Sequence, residues 1–290
     1  MAKDKYSAIW VSHTSINDYL QCPRAYFLKN VYKDPKTGHK IQIMTPALAL
    51  GQAVHEVLDS LSIIATDSRF DESLILKLDK VWPQFSGKLG GFQSIDEEHQ
   101  YKERAKAMLR RVMEHPGPLK NLSVKIQQEL PYYWLSEDEN IILCGKVDWL
   151  EYLQDTDSVH IIDFKTGKKK EEESSLQLPI YHLLVHHCQK RSVTKASYWY
   201  LETDDDLTEK ELPDLKDAHQ KVSEVGRRIK LARKLDKLDC PHGSDGCFYC
   251  HSLERLLKGE GEMVGVNQQR DIYLMPQEEI AEEEMDSIIL

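Results

Sequence analysis

The chain has 290 residues, 41% of them hydrophobic and 30% charged, with a formal net charge of −10 at pH 7. These values fit an ordinary globular sequence long enough to bury a sizeable core, and they exclude a generally basic nucleic-acid coat. No apolar run reaches the roughly 18 residues needed to span a bilayer, and no apolar segment follows Met1–Lys5 as in a secretion signal, so the expected location is cytoplasmic with no membrane partner.

The negative charge is uneven. Residues 277–290 hold Glu278, Glu279, Glu282, Glu283, Glu284 and Asp286 with no Lys or Arg, and are expected to be a disordered acidic tail. Basic clusters occur around Lys102–Arg111, at Lys165 and Lys168–Lys170, and around Arg227–Lys234. They read first as solvated faces, although a substrate channel needs only local positive potential.

In chain order, residues 13–32 predict a helix capped by Ser12 or Thr14 and broken or kinked at Pro23. A second helix is predicted over 46–65, with Leu48, Gly51, His55, Leu58 and Ser62 on one face. Two more follow at about 71–82 and 95–114, and His115-Pro116-Gly117-Pro118 closes this helical half. The period then changes to two, predicting strands over 123–135, 141–152, 158–164 and 195–202. Amphipathic helices are predicted over 174–188 and 213–236. Helices, then a β-meander, then a β–α–β unit imply an α/β core with a helical N-terminal elaboration.

The strongest chemical signal is Ile161-Ile162-Asp163-Phe164-Lys165-Thr166-Gly167. Residues two apart on a strand share a face, so Asp163 and Lys165 project together while Ile162 and Phe164 face the core. Upstream, Gly145-Lys146-Val147-Asp148 places an acid in a strand-like apolar run, and a short turn at 154–157 lets Asp148 meet Asp163. Two carboxylates at that range need a proton or a cation between them, and hard oxygen ligands suit Mg²⁺ or Mn²⁺. With a nearby ammonium, the set is chemically complete for phosphodiester hydrolysis. Gly51 sits one turn before His55 and lets another element approach that histidine. Gln177 and Tyr181, one turn apart, could address phosphate or a base edge, or hydrogen-bond the strand ends.

These pieces, with Ser12-His13-Thr14-Ser15-Ile16 and Tyr19-Leu20-Gln21-Cys22-Pro23-Arg24 before them, resemble the RecB/AddB-type branch of the PD-(D/E)xK nuclease superfamily, in the family's order and over nearly the whole chain. The resemblance implies a restriction-endonuclease-like core with a mixed central sheet flanked by helices. It implies a metal-dependent deoxyribonuclease of exonuclease or single-strand-directed character, working in DNA repair, recombination or mobile-element processing. By position, His55, Asp148, Asp163 and the Phe164 carbonyl would hold metal. Asp148, Asp163 and Lys165 would be catalytic, Gln177 and Tyr181 substrate-side, and Glu129 an accessory acid. The expected organisation is one nuclease domain over 1–276: a helical elaboration at about 12–118, an α/β core at about 119–238 and a cysteine segment at 239–258.

Cys240, Cys247 and Cys250 are bunched, and the Cys247/Cys250 pair is a good two-ligand bite for zinc or an iron–sulfur cluster. Cys22 is the candidate fourth ligand, with His242 or His251 as the alternative that would favour zinc. The resemblance favours a 4Fe-4S cluster stapling the two ends of the chain, with Leu256 standing near the place where a further cysteine is usual. No G-x-x-x-x-G-K-[ST] loop occurs, so any ATP-driven unwinding would come from a helicase partner in trans. Tyr132, Tyr133, Trp134, Tyr198, Trp199 and Tyr200 could stack bases or sit in the core. The alternative to an enzyme is a catalytically silent, metal-stapled binding module on the same fold, against which the complete His–Asp–Asp–Lys set argues.

Overall fold

The computed structural model describes residues 5–243 and 246–276; the start of the chain and the acidic 277–290 tail lie outside them. Strand β1 (Ile9–Val11) leads into α1 (His13–Gln21). A capping box closes the front of α1: Ser15 N–H donates to Ser12 Oγ, and Ser12 N–H donates to Ser15 Oγ. Cys22 is extended and ends α1, and Pro23 then starts α2 (Pro23–Tyr26), where its missing N–H is not needed. A π-helical turn over Phe27–Val31 follows. The helix expected over 13–32 is therefore three short pieces.

Strand β2 (Lys40–Ile43) was not anticipated. Helix α3 (Pro46–Asp59) is capped by Thr45 and starts on Pro46, and α4 (Leu74–Val81) and α5 (Ile95–Glu114) complete the helical half. Strands β3 (Tyr132–Ser136), β4 (Ile141–Cys144), β5 (Trp149–Leu153) and β6 (Ser158–Lys165) precede α6 (Gln177–Cys188). Then come β7 (Ser192–Tyr200), β8 (Thr208–Lys210), α7 (Leu215–Lys234), α8 (His251–Leu257), β9 (Glu262–Asn267) and β10 (Arg270–Leu274).

The strands form three sheets, ordered β5-β6-β7-β8, β1-β4-β3 and β2-β10-β9. In the first, β6 pairs antiparallel with β5 and parallel with β7, with α6 as the crossover. The alternation along β6 splits two cores. Val159 and Ile161 join Ile180 and Leu184 of α6 and Val222 and Ile229 of α7. Ile162 and Phe164 join Trp149, Trp199 and the apolar faces of α3, α4 and α5. Helices thus cover both faces of a mixed sheet, the expected α/β arrangement, and no described helix is long and apolar enough to cross a membrane.

Two expected strands are corrected. Of 123–135 only the end is strand. Residues 121–124 run along the β5 edge (Val124 N–H to Leu150 O 2.8 Å, Tyr152 N–H to Leu122 O 2.7 Å), then the chain leaves it, and Pro131 cannot donate to a ladder. The expected 141–152 strand is two, in different sheets, because Gly145–Asp148 bends across α6; a Cβ on Gly145 would lie 3.1 Å from Leu184 Cδ1.

Arg69, 3% exposed, pins this edge. It donates to the carbonyls of Leu119 (2.9 Å) and Asn121 (2.6 Å) and to Ser123 Oγ (2.7 Å), and its guanidinium lies 4.9 Å from the Trp149 ring centroid. Truncation leaves buried acceptors unpaired. Arg69→Ala is expected to lower stability by about 2–4 kcal/mol, read as a lower urea midpoint at unchanged m-value.

Candidate active site

The β5/β6 register pairs Trp149 with Ile162, so one further step sets Asp148 against Asp163. The bend before Trp149 turns Asp148 across the strand end, where its Oδ2 accepts the Phe164 N–H at 2.9 Å. N–H and C=O of one extended residue leave the strand on the same edge. The Phe164 carbonyl therefore also faces the Asp148 side, while the Lys165 carbonyl accepts Leu201 N–H beyond β7. From α3, His55 places Nδ1 3.4 Å from Asp148 Oδ1 and its ring edge-on to Phe164. The close approach expected beside Gly51 is made by the end of β6: a Cβ there would lie 3.2 Å from Thr166 Oγ1.

Asp163 is 2% exposed. Gln177 Nε2 donates to its Oδ1 at 2.7 Å and to Tyr181 Oη at 3.2 Å. Asp163 Oδ2 makes no directed hydrogen bond, although Lys165 Nζ lies 2.9 Å away. Lys165 also reaches Glu171 Oε2 at 3.1 Å and donates to Gln177 Oε1. Gln177 and Tyr181 thus bind the strand-end groups. Burial, and after it the charge of Asp148, pushes the Asp163 carboxyl up to about 7 against the pull of Lys165. Burial opposes the charge on His55 and Lys165, yet Asp148 raises the imidazole, and Asp163 with Glu171 raises the ammonium. Burial raises the Tyr181 hydroxyl well above its ordinary value.

This donor set fits a hard divalent cation. Asp163 carries a buried carboxylate oxygen without a directed hydrogen bond and feels the charge of Asp148, and the His55 imidazole and the Phe164 carbonyl lie on the Asp148 side. A cleft of about 490 Å³ opens beside it, lined by His55, Asp148, Phe164, Lys125, Lys146 and Glu129. Glu129 is exposed in the irregular segment, not on a strand, and reaches the site only as a wall of this cleft.

Two neighbours were not singled out as site residues from the sequence, although His13 lies in the opening Ser12–Ile16 motif. Glu171 sits in a loop run of three glutamates, and only the folded loop separates it from Glu172 and Glu173. His13, at the start of α1, is held below its ordinary value by burial and by the nearby Lys165 charge. Among the aromatic candidates, Tyr198, Trp199 and Tyr200 are core residues; Tyr198 lies under Lys165, 5.0 Å from ring centroid to Nζ. The basic clusters are interleaved with acids: Arg104 pairs with Glu202, Arg111 with Asp205, Lys169 with Glu172 and Lys170 with Asp204.

Cys22, Cys240, Cys247 and Cys250 come together with all sulfurs within 4.8 Å of one another. Among the described residues this is the group of three or more metal-ligating side chains drawn that tightly; His55, Asp148 and Asp163 are held more openly. Neither His242 nor His251 belongs to it. Leu256 instead packs with Leu28, Ile41 and Leu253. Burial opposes thiolate formation at Cys247, but the Tyr249 and Cys250 N–H groups and the Cys22 and Cys240 thiols lower it to about 7. Cys144 and Cys188 lie apart, raised by burial.

Folded Asp163 keeps its proton to about pH 7, against an ordinary value of 3.8. Between those values the folded chain binds more protons than the unfolded one, so stability from this residue falls as pH rises through that window. In chelator, Asp163→Asn is expected to raise Tm by a few degrees at about pH 8 and by much less at about pH 4. Equal melting of variant and wild type at the higher pH would contradict the burial argument.

The family model of the PD-(D/E)XK nuclease superfamily matches residues 10–255, a span that takes in His55, Asp148, Asp163, Lys165 and all four clustered cysteines, and the chain belongs to that superfamily, whose members are generally metal-dependent nucleases.

Proposed function

We propose that this protein is a Mg²⁺- or Mn²⁺-dependent deoxyribonuclease of the RecB/AddB-type branch. It hydrolyses phosphodiester bonds at ends or in single strands, in DNA repair, recombination or mobile-element processing. The observation that carries this reading is the meeting of Asp148, Asp163 and Lys165 at one strand end, with His55 against Asp148.

A Mg²⁺ or Mn²⁺ held by His55, Asp148, Asp163 and the Phe164 carbonyl would polarise a phosphoryl oxygen and acidify a water at the site. The chain's own groups do the remainder. Lys165 offers its ammonium to the attacking water or to the charge developing on the phosphate. Gln177 holds Asp163 and Lys165 in register, and Tyr181 holds Gln177. Lys125 and Lys146 give the cleft beside His55 a cationic wall for the backbone, and Glu129 is its accessory acid. Unwinding would be left to a helicase in trans.

The four cysteines form a second, structural metal centre joining the start of α2 to the segment before α8, a join that the Arg24–Glu254 ion pair repeats. The layout of one early and three late cysteines supports a 4Fe-4S cluster. The sulfur spacing favours a second occupant, zinc: four thiolates at about 2.3 Å from one ion span edges of about 3.8 Å, and Cys247 and Cys250 are 3.9 Å apart. Iron and sulfide counts on anaerobically purified protein decide between them. Cys250→Ser is expected to lose the metal and to lower Tm with either occupant; unchanged metal content would remove the centre.

The activity is tested by cleavage of 5′- and 3′-labelled single and double strands. Asp163→Ala and Lys165→Ala are each expected to lower the metal-dependent rate by at least about a hundredfold, with folding checked by circular dichroism. Wild-type rates in both variants would sink the assignment. A metal-bound wild type that binds DNA without cutting it would leave the silent-module alternative.

A further inference from the structure

A lysine ammonium has three N–H donors. At Lys165 three protein acceptors face them: Asp163 Oδ2 at 2.9 Å, Glu171 Oε2 at 3.1 Å, and Gln177 Oε1. Gln177 Oε1 takes a directed hydrogen bond, while the two carboxylate oxygens crowd the ammonium as ion pairs, so a phosphate oxygen can reach Lys165 only where one of the three gives way.

The three are not equally free to move. Asp163 is fixed on β6 with its side chain 3% exposed. Gln177 is buried on α6 and bonded to both Asp163 and Tyr181. Glu171 belongs to the loop between β6 and α6, and its side chain is 25% exposed. Its backbone is anchored apart from its carboxylate: the Glu171 N–H donates to Tyr200 Oη at 3.0 Å, and Lys170 lies over the Tyr200 ring. The Ser175 hydroxyl also holds this carboxylate, and His13 lies near it, so the side chain leaves Lys165 by giving up those contacts while the loop backbone stays in place. The carboxylate also carries the charge of one phosphodiester, on oxygens of similar acceptor strength.

Resting on the nuclease reading above, we propose that Glu171 is an internal stand-in for the substrate phosphate: its carboxylate takes the place beside the Lys165 ammonium that a nucleic-acid phosphodiester takes, and the substrate binds by exchange with it. Glu171 thereby sets affinity at this site. An incoming backbone must outcompete a tethered anion, which weakens loose association and helps a product phosphate depart.

The test is fluorescence anisotropy of a labelled single-stranded DNA oligonucleotide with the full chain in chelator, so that nothing is cut. Glu171→Gln and Glu171→Ala are each expected to bind about tenfold more tightly than wild type, the scale of one charge-assisted hydrogen bond. The gain should vanish in a Lys165→Met background. Glu172→Gln, which removes an equal charge one residue away from a carboxylate paired with Lys169, should stay within about twofold of wild type. Three results would overturn the proposal: no tightening in either Glu171 variant, a gain that survives Lys165→Met, or an equal gain in Glu172→Gln. Cleavage by wild type in Mn²⁺, measured alongside, separates the two readings. Cleavage without a Glu171 effect removes the exchange alone; no binding by any variant and no cleavage removes the nuclease assignment with it.

Discussion

Asp163 is buried at the end of a strand, close enough to Asp148 to feel its charge, and its neighbours are arranged around that constraint. A carboxylate in such a place ionises only with opposite charge nearby. Lys165 is two residues further along the same strand face, and Gln177 closes the remaining side from α6. Asp148 escapes direct opposition by bending off β5 to accept the Phe164 N–H, and His55 leans on it from α3. The fold thus sets two carboxylates close together in partly desolvated surroundings, an arrangement that a divalent cation would favour in its ionised form.

That geometry depends on a sheet packed on both faces. Ile162 and Phe164 lock β6 to the helical half, while Val159 and Ile161 lock it to α6 and α7. A strand gripped in this way cannot slip by one residue without turning Asp163 and Lys165 into the wrong core. The chain ends are tied separately. Strand β10 pairs parallel with β2, and buried Asp271 accepts from Thr37 at 2.5 Å and meets His39 Nδ1 at 2.8 Å. The four-cysteine group and the Arg24–Glu254 pair join α2 to α8.

Much of this was legible because it rests on local periodicity. The two-residue period puts Asp163 and Lys165 on one face, and one helical turn puts Gly51 before His55. Pro23 marks the break at which Cys22 is presented. Features that depend on tertiary partners were not legible. Alternation over 123–135 predicted a strand, but only its first residues find a β5 edge, and Glu129 lost its strand position with it. The β9–β10 hairpin turns on Gln268 and Gln269 at φ +46° and +60°, a left-handed pair that sequence reading expects of Asn-Gly. Glu171 could not be told from the acids beside it, since only the loop's fold brings it to Lys165.

We propose that Asp148 and Asp163 together hold a divalent cation at this strand end. Titration of the wild-type chain and of Asp163→Asn with Mn²⁺, following the free-ion electron paramagnetic resonance signal, tests it without reference to any substrate. Saturable Mn²⁺ binding is expected in wild type and should weaken at least about tenfold in the variant, at unchanged occupancy of the cysteine centre. Equal Mn²⁺ affinity in the two proteins would contradict it.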